Sequence, residues 1–509
     1  MAREPTDLLR EQIELALTPY GYFKPHLTFS KNARHIHISP GPQIHISALT
    51  ISVHGEGENN PALQKALHEC PLAVGQPFNS KRYEDTKDVL FSTAENEGYL
   101  HATFKTAEVL IDRQQYTVKI TLQLNTGPQY YFGQVRFDPA RISPKLLQRY
   151  VPFRYGQTYS TEQILALNTN LTDSGYFSSV NIKPNLDAKP NVPVDVNLKP
   201  VSRVNYSLGG GYGTDTGPRG VAALQVVPVN QYGHKFNALI QGSFTENTLQ
   251  ARYTIPGQNP MIDKYSLGGA LSTLNYSSGY SNSLLLSAAQ QHILSNYQRL
   301  LSINQLVERF HYTDQSKLER SLLFPKAVLT WSKTTSPLFS PSGYNVSING
   351  LAASKAFLSQ INLAQAAIDA KMAVSVEAIR TRFYLHGLQG VTQIKSVDQI
   401  PLSLAQLLGG PANMKGYSYN ALGPGKMLTY GGVELQKETF KKWYLLGFVD
   451  AGNVYKPSRT IFKYDIGIGL MWVSPIGPIK VGVGQPVNHR LSPLAKSSPK
   501  LVINMGPDL

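Results

Sequence analysis

The chain has 509 residues, a formal net charge of +15 and only 16% charged residues, with 41 Gly and 28 Tyr. Its length suggests two to four structural units. No run approaches the roughly 18 consecutive apolar residues of a membrane helix, so a membrane-spanning form of this chain must be a closed barrel. Lys and Arg are scattered, with no basic run and no zinc or helix-turn-helix pattern, so the charge points to an anionic surface rather than to nucleic acid. One cysteine, Cys70, excludes an intramolecular disulfide framework and a cysteine-based zinc site.

The opening residues, Met1 to Pro5, lack the apolar core of a secretory signal. The chain is expected to begin downstream of one, because its first recognisable element starts in mid-unit. A Gly-Tyr-aromatic or Gly-Tyr-Leu triplet recurs every 77 residues, at Gly21-Tyr22-Phe23, Gly98-Tyr99-Leu100 and Gly175-Tyr176-Phe177. Each closes a segment of helical spacing: Leu9, Ile13, Ala16 and Leu17 share one face in the first copy, and Ile164, Leu167 and Leu171 in the third. Extended runs follow, such as 177–184 and 194–198. Gly41-Pro42-Gln43 and Gly127-Pro128-Gln129 open the two complete copies, and Gly75-Gln76 and Gly156-Gln157 mark a shared loop. The unit is strand, two helices, Gly-Tyr, two strands, and the first copy lacks its opening strand and helix. The glycine suits a left-handed helix cap, and the aromatics read as core. His35, His37 and His45 read as the polar face of a hairpin; a zinc site would need His45 brought across from the other two, and no metal is expected.

Near residue 200 the period changes to two. Val204, Tyr206, Leu208 and Tyr212 alternate with Asn205, Ser207, Gly209 and Gly211. Similar segments run through Leu249, Ala251, Tyr253 and Ile255, through Tyr464, Ile466, Ile468, Leu470 and Trp472, and through Ile479, Val481 and Val483. About 16 such segments fit between 204 and 505, as for a bacterial barrel. The Ala-rich stretch 354–392 reads equally as helix, and a soluble β-sandwich alternates in a similar way. Gly209-Gly210-Gly211-Tyr212-Gly213 is no phosphate loop, since neither a helix nor Gly-Lys-Ser/Thr follows. No enzymatic constellation stands out.

In their order along the chain, these features resemble the superfamily of POTRA-bearing outer-membrane assembly and secretion barrels, and within it the TamA family. The residues that carry the likeness are the triplicated unit and Tyr212-Gly213-Thr214-Asp215-Thr216-Gly217-Pro218-Arg219. To these are added Ser474-Pro475-Ile476-Gly477-Pro478-Ile479-Lys480 and the ending Gly506-Pro507-Asp508-Leu509. The resemblance implies α+β POTRA modules (β-α-α-β-β) followed by an all-β, 16-stranded antiparallel transmembrane β-barrel. Its expected boundaries are 1–40 for a partial first module, 41–126 for the second, 127–200 for the third and 201–509 for the barrel.

The resemblance also implies a lumen loop motif, here Lys415-Gly416-Tyr417, and a strand motif, here Phe448, Asp450 and Gly452. Period two puts those three strand residues on one face, away from Trp443, Leu445 and Val449, so Asp450 points at the loop cation if the other face meets lipid. The family has Arg where this chain has Lys415, a point charge with less geometric control; Lys415 as a solvated loop residue is the alternative. A weak seam is implied between first and last strands, at Tyr206, Gly209, Gly210, Gly211, Leu501, Ile503, Met505 and Gly506. Three consecutive glycines and a short closing strand ending near Pro507 give it a physical basis.

The implied function is insertion or secretion of autotransporters and other outer-membrane proteins, without enzymatic chemistry or cofactor. The implied partner is an inner-membrane-anchored TamB-like protein, with outer-membrane lipid around the barrel and the modules in the periplasm. Rival readings are a general barrel assembly protein, a two-partner secretion transporter, the outer-membrane end of a phospholipid bridge, or a passive porin.

Overall fold

The computed structural model describes residues 5–29, 36–187, 190–214, 216–457, 461–475, 477–487 and 498–509. His35, Asp215 and Ile476, named above, lie outside the described residues. The chain divides into two units, one of residues 1–140 and 150–200, the other of 141–149 and 201–509.

In the first unit, two three-stranded sheets share one topology. Strand His45–His54 runs parallel to Thr117–Asn125, which pairs antiparallel with Thr103–Asp112. Tyr131–Phe137, Asn191–Pro200 and Phe177–Pro184 repeat the arrangement. The central strands bury alternate β-branched and Leu side chains: Val118, Ile120, Leu122 and Leu124 in one, Val192, Val194 and Val196 in the other. Helices Pro61–His68 and Ser80–Asn96 lie between the first two strands of the first sheet. Each begins where an Asn side chain, Asn60 or Asn79, accepts backbone N–H groups of the first turn. Gly98 ends the second helix at φ 84°, and Gly21 and Gly175 hold the equivalent positions at 86° and 70°. The aromatic that follows is core: Tyr99 packs with Leu63, Leu90 and Leu124, and Tyr176 lies edge-on to Tyr150. Ahead of these stand helix Pro5–Leu17 and the paired strands His26–Phe29 and Ile36–Ser39.

The second unit is a 16-stranded antiparallel meander in strict sequence order, from Val204–Gly213 to Lys500–Met505, nearly closed on itself. Because the strand number is even, the chain enters and leaves at one end. Ile466, Ile468, Leu470 and Trp472 are exposed on the outer face while Asp465 and Met471 are buried inside. The Ala-rich stretch, open between helix and strand from its sequence, forms strands Leu363–Val376 and Thr381–Gln393. Ile368, Met372, Val374 and Val376 point outward with period two, and Ala364 and Ala366 lie opposite Ala352 and Gly350. Pairing with neighbours on both sides overrides the helix preference of alanine.

All three tryptophans lie near turns at the end where the chain enters. Trp443 stacks on Trp472 with centroids 5.8 Å apart, and Trp331 lies against Tyr297. Trp and Tyr are enriched at lipid–water interfaces, and this placement fits a membrane barrel. No helix among the described residues is long and apolar enough to cross a membrane. The segment 141–149 belongs with the barrel: Ser143 N–H donates to Gln231 O at 2.9 Å and Arg149 Nε to Gln258 O at 3.0 Å.

Candidate functional site: a lumen-docked loop beside an unpaired seam

Between strands Thr381–Gln393 and Met427–Phe440 the chain leaves the wall for 33 residues, 394–426, and folds into the lumen. Its first half is held by apolar contacts. Ile394, Val397 and Ile400 join Leu306, Leu322 and Phe324, and Leu402 joins Leu274, Phe310 and Tyr312. Polar anchors fix the backbone there. Tyr312 OH donates to Ile400 O at 2.9 Å, and buried Glu308 accepts Ser403 N–H at 3.1 Å as well as the Ser403 hydroxyl. In the second half Leu408, Met414, Tyr417 and Leu422 pack on Leu428, Tyr430 and Val454 of the wall.

The loop tip carries Lys415, which is 8% exposed. Its Nζ donates to Asp450 Oδ2 at 3.0 Å and Oδ1 at 3.2 Å, and lies 3.3 Å from Glu434 Oε1. The ammonium also sits 4.7 Å from the Phe448 ring centroid, a cation–π contact. Phe448 and Asp450 face inward, whereas Trp443, Leu445 and Val449 face out, as period two requires. Gly416 N–H donates to Asp465 Oδ2 at 3.0 Å, and a Cβ there would lie 2.8 Å from Asp465 Cβ and 3.0 Å from Pro486 N. Only glycine lets the tip approach so closely. Tyr417 is buried, with Lys463 Nζ 5.6 Å from its ring centroid. Gly452 follows Asp450 on the same inward face.

The structure thus brings Lys415, Gly416, Phe448 and Asp450 together. Residues to which the sequence reading gave no place in the lumen extend the cluster. Tyr430 OH donates to Asp450 Oδ1 at 2.8 Å. Glu434 Oε2 takes Lys480 Nζ at 2.7 Å, and Lys480 also reaches Asp508 Oδ2 at 3.2 Å. Asp508 forms a two-pronged pair with Arg382, at 2.8 and 3.0 Å. A signal was present in the sequence: Asp465 alternates with Tyr464, Ile466, Ile468, Leu470 and Trp472, Glu434 sits between Val433 and Leu435, and Arg382 precedes Phe383 and Leu385 on the opposite parity.

The seam residues lie beside the loop tip, where Lys500 Nζ of the closing strand donates to Ser418 Oγ. Strand Val204–Gly213 pairs with its successor along its whole length, and Lys500–Met505 pairs with Gly477–Pro486. Among the described residues no ladder joins the first strand to the last, although they come within 8 Å in Cα distance. Tyr206 is 79% and Leu208 86% exposed, and Gly209, Gly210 and Gly211 are exposed too. Leu501 and Met505 are exposed on the closing strand, while Val502 faces in. The closing strand has six residues, against 17 in the longest, Leu318–Thr334. Of the histidines weighed above, His45 Nδ1 lies 3.0 Å from Gln43 O. Among the described residues no group of three or more His, Cys, Asp or Glu side chains is arranged to hold a metal.

Fold and site define a class: a 16-stranded antiparallel barrel with a loop docked in its lumen, a seam unpaired among the described residues and a preceding α+β region. Residues 230–496 match the Omp85 superfamily domain, and the chain belongs to that superfamily, whose barrels work in assembly and transport. Residues 130–200 match the POTRA family, described as a surface antigen variable number repeat. Among solved structures the chain resembles BamA from Haemophilus ducreyi lacking POTRA domains 1–3, with TM-score 0.73 and 14% identity over 91% of this chain and 98% of that one. It also resembles CdiB from Acinetobacter baumannii, with TM-score 0.51 and 11% identity over 98% and 97%. CdiB from Escherichia coli gives TM-score 0.51 and 13% identity over the same shares.

Proposed function

We propose that this protein is an outer-membrane insertase that folds or secretes client β-proteins by pairing their strands with its first barrel strand. The observation that carries the reading is the unpaired seam. Among the described residues, strand Val204–Gly213 has no ladder partner on its free side, and such an edge is a template for another strand. Its partner across the gap has six residues, fewer than the roughly 9–11 that a membrane-crossing strand needs, so the adjacent bilayer is thinned. The docked loop fills the lumen, which disfavours a passive porin. The modules ahead of the barrel, with exposed sheet edges, receive clients in the periplasm.

Within the superfamily, the three-fold Gly-Tyr repeat and the Gly506-Pro507-Asp508-Leu509 ending favour a TamA-like role. This carries with it a TamB-like, inner-membrane-anchored partner and autotransporters among the clients. The resemblance in fold to BamA and CdiB keeps general barrel assembly and two-partner secretion as the second reading. The test reconstitutes the protein in liposomes and follows folding of a urea-unfolded autotransporter barrel. Acceleration over liposomes holding a closed porin is the expected result, and equal rates would remove the insertase reading. Co-purification of a TamB-like protein with the first unit, or its absence, decides between the two readings.

A further inference from the structure

Beyond the closing strand, four residues turn into the lumen. Gly506, at φ 120°, donates its N–H to Pro478 O at 3.0 Å and starts the turn. Asp508 is then buried, with a side chain 6% exposed. Both its oxygens meet Arg382, one meets Lys480, and its backbone carbonyl accepts Tyr384 OH at 3.0 Å. Leu509 reaches the start of strand Gly343–Ala353. The tail is therefore fastened to the eleventh and fifteenth strands, while its own strand, among the described residues, pairs on one side only.

Arg382 explains why the fastening is strong. It is 1% exposed, and Asp508 is the carboxylate that neutralises it. Two more of its N–H groups donate to Gln436 Oε1 at 2.8 Å and Pro341 O at 3.1 Å, with the Phe339 ring 4.9 Å away. A buried guanidinium that lost its carboxylate would be left uncompensated, so the tail is held in place. From Asp508 the alternating charges continue without a break: Lys480, Glu434, Lys415, Asp450. The relay runs from the tail of the last strand through Lys415 at the tip of the lumen loop to Asp450 on the wall.

We infer that Asp508 is a positioning residue: by binding Arg382 and Lys480 it draws the end of the closing strand into the lumen and keeps the first-strand edge unpaired. The relay makes loop docking and seam geometry a single coupled state. This deepens the insertase reading and rests on it for its consequence, but the latch itself is measurable without a client.

The experiment uses the full chain with Cys70→Ser, reconstituted in liposomes, with cysteines at Ser207 and at Val502 or Asn504, on the water-facing side of the seam. Disulfide yield under mild oxidant reports how often the two strands come into register. Asp508→Asn is expected to raise that yield severalfold and to expose the loop to protease, while Asp508→Glu restores both to the parental level. Heat-modifiable migration verifies that the barrel is folded. If Asp508→Asn fails to fold, the same reading is taken on Arg382→Lys, which keeps the charge and loses the two-pronged pair. A folded variant with parental yield and digestion overturns the latch. A raised yield with undiminished client folding upholds the latch and removes the insertase reading instead.

Discussion

Lys415 is the charged side chain that the loop tip buries in the lumen. It is enclosed by Asp450, Glu434 and the Phe448 ring. An arginine would grip Asp450 with a planar fork; the lysine compensates by standing between two carboxylates, one of them shared with Lys480. Removing one partner from a buried pair costs about 3–5 kcal/mol. Lys415→Met should therefore release the loop, and limited proteolysis should then cut within 409–420, where wild type and Lys415→Arg resist. Digestion of Lys415→Met at the wild-type rate would show that apolar packing alone holds the tip. The family resemblance implied the loop motif at Lys415 and the strand motif at Asp450, and strand parity then aimed Asp450 at the loop cation. Asp508 was not legible: the tail drew notice only as a terminal signature, and nothing in its spacing tells where four residues after a strand will fold. Glu434 and Lys480 lay between, visible as inward charges but without assigned partners.

At the scale of elements, alternation identified the strands and their faces, because a wall between lipid and a polar lumen imposes period two on every segment. It failed to decide the Ala-rich pair, where small side chains carry little contrast between faces and only pairing with neighbours settles the conformation. The glycines of Val204–Gly213 were read as weakening that strand, and there is room to test this. A Cβ at Gly210 would have Arg219 O as its nearest neighbour at 3.8 Å, and one at Gly211 would have Arg219 Nε at 3.9 Å. Replacing an interior strand glycine gains roughly 0.5–1 kcal/mol per site. Gly210→Val with Gly211→Val should stiffen the first strand and slow client folding in liposomes. Client folding as fast as with wild type would mean that the pliancy of this edge plays no part.

The second unit, taken whole, is a barrel of unequal walls. At about 3.4 Å per residue the longest strand extends about 58 Å and the closing strand about 20 Å, against a hydrocarbon core of about 30 Å. The thin wall and the unpaired edge coincide, and the loop 394–426 occupies the lumen behind them. Planar-bilayer recordings should accordingly show conductance far below that of an open 16-stranded porin, rising in Lys415→Met. Steady porin-like currents in wild type would contradict a plugged lumen.

The central claim is that the seam must admit a client strand, and locking it is the most direct test. With Cys70 replaced by Ser, cysteines placed at Asn205 or Ser207 and at Val502 or Asn504 are oxidised in liposomes, and folding of an autotransporter barrel is timed before and after reduction. The account predicts that the locked barrel loses its acceleration and that reduction restores it. A locked barrel that works as fast as the reduced one would contradict the account and place the activity outside the seam.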